Sequence, residues 1–213
     1  MSAHFSRGSR NKVAFVLSCP GRHEEQAKHP AAGVTGSNLN RLLAMLGERL
    51  DLQPLERAHV TITNAWDRIE YRKKTSRSEA TDAEVTQTDN LLRLAGELLH
   101  VTELVVFCGC KARLASRELL RLELLPNLKH VAFVDHLGMR GLLAIKSDAN
   151  GKPIVAATKQ KHDGRQDPLS FIGAENTSRR LSVVLQRLLD SIQSVNRHGR
   201  CLEASVHDRD GCQ

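Results

Sequence analysis

The sequence predicts a single three-layer α/β/α domain with a central, mostly parallel four-stranded sheet. Short β-branched apolar runs alternate with longer stretches of helical apolar spacing, the pattern of successive strand–helix units. The length of 213 residues, 40% of them hydrophobic, suits one well-buried core and is short for two. The unusual segments Ser18–Gly36, Asn64–Arg77 and Asp135–Leu142 each follow a predicted strand, where such sheets carry their sites.

The strands are expected at Val13–Leu17, Val60–Thr63, Leu104–Phe107 and His130–Val134. A helix over Ser37–Leu50 would bury Leu39, Leu42, Leu43 and Leu46, with Ser37 as its cap. A second, over Ala83–Leu99, would bury Leu91, Leu92, Ala95, Leu98 and Leu99. A third follows Gly109, carries Leu114, Leu119 and Leu122, and ends near Pro126. The last spans Asn176–Val195, with Leu181, Val184, Leu185, Leu188 and Ile192 in one stripe. The domain is thus expected over residues 13–195, behind a flexible basic N-terminus (1–12) and ahead of a disordered tail (196–213). Tyr71–Thr81 reads as a solvated or backbone-contacting loop, and Lys146–Pro168 as a hairpin or irregular excursion.

The net charge is +7 and the pI about 9.4, which suits a polyanionic partner without identifying one. No apolar run approaches membrane-spanning length, and no secretory h-region follows the basic start. Five cysteines without framework spacing point to a reducing cytoplasm. Cys108 and Cys110 fit a buried thiol beside a turn better than a metal pair, so no metal site is expected. Neither GxGxxG nor GxxxxGK[ST] occurs, which argues against a dinucleotide or P-loop nucleotide site.

Three loops carry the functional signal. After the first strand, Ser18–Leu39 reads SCPGRHEEQAKHPAAGVTGSNL: a Pro20-Gly21 turn, the acidic pair Glu24-Glu25, then Pro30, Gly33 and Gly36 leading into a helix. Asn64 ends the second strand within ITNAW. His136 follows the fourth strand within DHLGMRGL. This ordered set, over about residues 13–142, resembles the uracil-DNA glycosylase superfamily, particularly its family 4 branch. The resemblance implies a glycosylase that flips a base from DNA and hydrolyses its N-glycosidic bond. It implies catalytic roles for Asn64, reading the base edge through its amide, and for His136, stabilising charge on the departing base. Glu25 and Ser18 are the further catalytic candidates, and Cys19, Pro20, Gly21 and Ala31 join Asn64 as expected pocket residues. Gly33, Gly36, Ser37, Met139, Arg140, Lys73 and Lys74 are expected at the DNA, with Met139, Arg140 or Leu142 available as wedge or phosphate contact.

The chain departs from that family in ways that bear on substrate. Leu17 stands where most relatives have Gly, and Ser18-Cys19 stand where an activating Glu, Asp or Asn is usual. Leu137-Gly138 replace the Pro-Ser that follows the family His. Glu24, Glu25, Asp67 and Asp135 are the nearby carboxylates that could hold water instead, and sequence does not choose among them. Ala31, followed by Ala32, replaces the aromatic that stacks on uracil, forfeiting roughly 1–3 kcal/mol for a small base and adding room. The five cysteines do not reproduce the family's iron–sulfur spacing, so no cluster or other cofactor is expected. No His occurs between Asp67 and Leu99 to trap a sugar covalently, and no Lys matches a Schiff-base position.

The expected partner is therefore DNA, duplex or single-stranded, met by a monomeric, monofunctional enzyme. The added room points to a base bulkier than uracil. The chain resembles the superfamily's bacterial anti-phage branch, which implies excision of a large modified cytosine such as the glucosylated hydroxymethylcytosine of phage DNA in antiviral defence. Repair of uracil or another deaminated base, and a catalytically silent DNA-binding module on the same fold, stand as alternatives.

Overall fold

The computed structural model describes residues 2–50, 54–162, 164 and 168–194. The expected strands form as β1 (Val13–Leu17), β2 (Thr61–Asn64), β3 (Leu104–Cys108) and β4 (His130–Val134). All four are parallel, in the order β2-β1-β3-β4, and β1 runs in register with Thr61–Asn64 on one side and Leu104–Phe107 on the other. A two-residue strand, β5 (Gln193–Ser194), adds antiparallel to His130 and Val131. These residues lie inside the stretch expected to be helical. The last helix stops earlier because Ser191 turns back to β4, its hydroxyl accepting from Phe133 N–H at 2.9 Å and donating to Phe133 O at 3.0 Å.

Nine α-helices are found among the described residues: α1 (Arg22–Ala27), α2 (Val34–Arg49), α3 (Arg72–Thr75), α4 (Asp82–Val85), α5 (Thr88–Leu98), α6 (Cys110–Arg121), α7 (Met139–Ala144), α8 (Ala157–His162) and α9 (Leu169–Asp190). Side-chain alternation along β1 explains the layers. Val13, Phe15 and Leu17 face one core with Leu39, Leu42, Leu43 and Leu46 of α2 and Leu181, Val184 and Leu188 of α9. Ala14 and Val16 face the other, with Leu91, Leu94 and Leu98 of α5 and Leu119 of α6. Burying each leucine is worth about 1.5–3 kcal/mol, so two apolar stripes suffice to fix α2 and α9 on the sheet.

Helix ends account for most differences from expectation. Gly33, not Ser37, caps α2, so Ser37 lies exposed in its first turn. The long second helix is broken at Thr86–Gln87 into α4 and α5, because Thr81 and Glu84 close a capping box that starts a separate short helix. This leaves Leu92 and Leu99 exposed. α9 begins two turns before Asn176, directly after Pro168, where exposed Leu169 and Phe171 hide the stripe. Ser147 and Pro153 make the expected hairpin-like bridge, but α8 follows it.

The N-terminal segment does not trail from the domain. Ser6 and Ile62 exchange backbone hydrogen bonds of 2.9 Å, and Gly8 is buried, its N–H donating to Thr61 Oγ1 at 3.2 Å. A Cβ on Gly8 would lie 2.4 Å from Val60 C, so the close approach requires glycine. Residues 195–213, including the expected tail, lie outside the described residues.

Candidate functional site

Because β1, β2 and β4 are parallel, the residues that follow them meet at one edge of the sheet. The strand order reverses around β1 and β3, which opens a crevice there. A cavity of about 210 Å³ fills it, lined in part by Leu17, Ser18, Cys19 and Gly21 after β1, by Asn64 at the end of β2 and by His136 after β4. Ala31 and Thr35 close one side, and Glu24, Glu70, Ser78 and Glu79 contribute polar walls.

The Ala31 wall is held by converging backbone contacts. Ala31 is buried in a left-handed conformation (φ 50°), one that a non-glycine residue adopts at a cost. Arg57 donates to the carbonyls of Pro30 and, at 2.8 Å, of Ala31. Glu24 accepts from Gly21 N–H and Ala32 N–H, each at 2.9 Å, which ties both ends of the loop to one carboxylate. Gly36 has a structural task. It is buried, and a Cβ there would come within 1.8 Å of Ala31 O. A Cβ on Gly33 would press on the His23 ring at 3.1 Å.

His136 is fixed from three directions. Its Nδ1 accepts the Gly138 N–H at 2.9 Å, so the ring proton of the neutral form sits on Nε2. Burial lowers its pKa, outweighing the opposing pull of Glu79 and Glu24, and favours the neutral ring. The loop is packed against glycines: a Cβ on Gly141 would lie 2.0 Å from His136 O, and one on Gly109 3.1 Å from His136 Cβ. Asn38 Nδ2 on α2 donates to Leu137 O at 2.8 Å and so couples the Ala31 and His136 walls.

Asn64 is 1% exposed, and its Nδ2 donates to His4 O at 3.0 Å. That bond occupies one of the two amide hydrogens of a residue that lines the cavity. The N-terminal segment therefore orients a pocket residue, a connection that no side-chain pattern could announce. A network backs it: His4 Nε2 meets Glu97 at 3.1 Å, and Glu97 also binds Thr63 and, at 2.7 Å, Arg93. Deleting residues 2–9 is expected to lower the melting temperature by several degrees, at about 2–4 °C per kcal/mol lost for a chain of this size. An unchanged melting temperature would contradict this docking.

The two expected catalytic groups of the first loop diverge. Ser18 is 5% exposed, lines the cavity, and its Oγ is the one buried side-chain polar atom among the described residues with no hydrogen-bond partner. The adjacent Cys19 thiol senses that hydroxyl but makes no hydrogen bond of good geometry with it, and sulfur is a weak partner in any case. An unsatisfied buried hydroxyl costs about 1–3 kcal/mol unless water or a ligand meets it. Burial pushes the pKa of the free Cys19 thiol up to about 11, so it is neutral and no nucleophile at neutral pH. Glu25 does not line the cavity. It pairs with Lys74 and accepts from Tyr71 Oη at 2.8 Å, and those bonds, led by Lys74, hold its pKa down. Pro20 is buried beneath the turn and does not line the cavity either.

Of the other carboxylates weighed from sequence, Asp135 pairs with Arg187, Asp67 is not at the cavity, and both Glu24 oxygens are engaged. Two carboxylates that the sequence did not single out do line it. Glu70 is buried, and Arg77 donates to it at 2.9 and 2.6 Å while also bridging to Glu84. This clamp lowers the Glu70 pKa and locks the 70–84 wall. Glu79 is exposed at the cavity rim, with no hydrogen bond or ion pair among the described residues. Both residues stand on the loop after β2, the site-bearing end of the sheet, and that placement was the available signal.

Met139 and Arg140 open α7 on the surface beside Gly138 and His136. Lys73 is exposed on α3, as is Lys74, whose ammonium is engaged by Glu25. Among the described residues no group of three or more His, Cys, Asp or Glu could hold a metal ion, and no helix is long and apolar enough to cross a membrane. Neither protein-family models nor curated proteins give a significant match to the chain.

Proposed function

We propose that the chain is a monofunctional DNA glycosylase of the uracil-DNA glycosylase type that excises a bulky modified base, of the glucosylated hydroxymethylcytosine class, and leaves an abasic site. The observation that carries the reading is the convergence of Ser18 and Ala31 after β1, Asn64 at the end of β2 and His136 after β4 on one cavity at the switch point of the sheet.

Each group has a task that suits this reaction. Asn64 presents an amide oxygen that accepts from the base edge, through the amino group of a cytosine or the N3–H of a uracil. Breaking the glycosidic bond moves an electron pair onto the base, and the Nε2–H of neutral His136 donates to the oxygen on which that charge gathers. A neutral donor is suited to this task because it does not pull a proton onto the base before the bond breaks. Ala31 leaves space where an aromatic ring would stack. Exposed Met139 and Arg140 open α7 just after the His136 loop, one apolar enough to fill a vacated stack and the other able to meet a phosphate.

The test incubates the protein with uracil-containing duplex and with glucosylated DNA, followed by cleavage at abasic sites. Abasic sites in the glucosylated DNA, lost in Asn64→Ala, are the expected result. Tight binding with no product from any DNA would identify a silent binding module instead. Ala31→Phe is expected to cut excision of the bulky base by at least about tenfold relative to uracil, since the ring occupies the added space. An unchanged ratio of the two rates would remove Ala31 from the specificity argument.

A further inference from the structure

We propose that Glu79 is the water-activating base of this pocket, holding the attacking water together with the hydroxyl of Ser18. The inference rests on the glycosylase reading and supplies the group that the first loop lacks.

Two independent observations meet in the same cavity. Ser18 Oγ is buried, lines the cavity and has no hydrogen-bond partner among the described residues, so a water there would gain a hydrogen bond that the protein leaves unmade. Every other carboxylate weighed near the site is already engaged or lies outside the cavity. Glu24 clamps two backbone N–H groups, Glu70 is held by Arg77, Glu25 by Lys74, and Asp135 by Arg187. Glu79 alone among the described cavity carboxylates keeps both oxygens unengaged, and it acts electrostatically on both Cys19 and His136 across the cavity.

The loop that carries Glu79 is anchored on both sides. Arg77 is clamped between Glu70 and Glu84, and Ala80 is buried in the helix-side core with Trp66 and Val85. Ser78 O lies 3.8 Å from the Cys19 sulfur, which brings this loop against the Ser18–Cys19 turn. In the step, the water oxygen forms a bond to the sugar C1′ as the bond from C1′ to the base nitrogen breaks. The water proton passes to the Glu79 carboxylate, and the electron pair of the broken bond leaves with the base, against His136.

Single-turnover excision by wild type, Glu79→Gln and Ser18→Ala on one glucosylated duplex tests the proposal, with duplex affinity measured in parallel. Glu79→Gln is isosteric and exposed, so folding is not at issue. It is expected to slow excision by about 10²-fold with affinity unchanged. Ser18→Ala is expected to slow excision less. A wild-type rate in Glu79→Gln would overturn the assignment while leaving the glycosylase reading in place. No excision by wild type from any modified DNA would overturn both.

Discussion

Replacing His136 by Ala is expected to slow base release by about 10²- to 10³-fold while leaving duplex affinity close to that of the wild type. The ring donates to charge that appears only as the glycosidic bond breaks, so its loss should fall on the rate and not on binding. Single-turnover excision and salt-titrated duplex binding separate the two. The same residue sets a pH dependence. Because burial holds its folded-state pKa below the ordinary value, the unfolded chain binds this proton more readily. Its contribution to stability is therefore full above about pH 6.5 and is lost as pH falls toward the lowered folded value. Protonation of Nδ1 would also break the Gly138 hydrogen bond that orients the ring. Excision should hold steady through mildly alkaline pH, where an imidazolium catalyst would fade.

Gly36→Ala is the second large expected effect, and it does not depend on the reaction. A Cβ 1.8 Å from Ala31 O has no room, and the atom it meets is backbone. Ala31 is held by Arg57 and cannot swing aside without giving up those bonds. Overpacking of this kind costs about 1–3 kcal/mol, or several degrees of melting temperature. Because Asn38, two residues on, ties α2 to Leu137, the disturbance should reach His136 as well. Differential scanning fluorimetry checks the stability loss. A Gly36→Ala variant that melts like the wild type would mean that the loop packs differently.

The strands were legible because each is a short β-branched run, buried on both faces, between breakers. Val13–Leu17 and His130–Val134 have the bounds that the sequence predicts. Helix ends were less so. The break between α4 and α5 depends on one capping box, and β5 on a serine that turns the chain back to β4. Neither leaves a periodic trace. Within the site, Ser18, Cys19, Gly21, Ala31, Asn64 and His136 were expected together from the resemblance, and they line one cavity because the parallel sheet brings their segments to one end. Glu25 could not be told from Glu24, since adjacent carboxylates on a short helix differ only in which way they point. Gly36 was expected at the DNA, and its internal close approach to Ala31 O left no trace in the sequence pattern. Glu79 was hidden in a loop whose charge suggested a solvated turn. The N-terminal segment was hidden more deeply, because it reaches Asn64 through a backbone carbonyl.

The measurement that tests the central claim most directly is mass spectrometry of the small molecules released from glucosylated DNA by the wild-type protein. Release of the intact modified base, with an abasic site left in the strand for each base freed, is the predicted result. Release of glucose alone, of a nucleotide, or of nothing from any modified or deaminated DNA would contradict it.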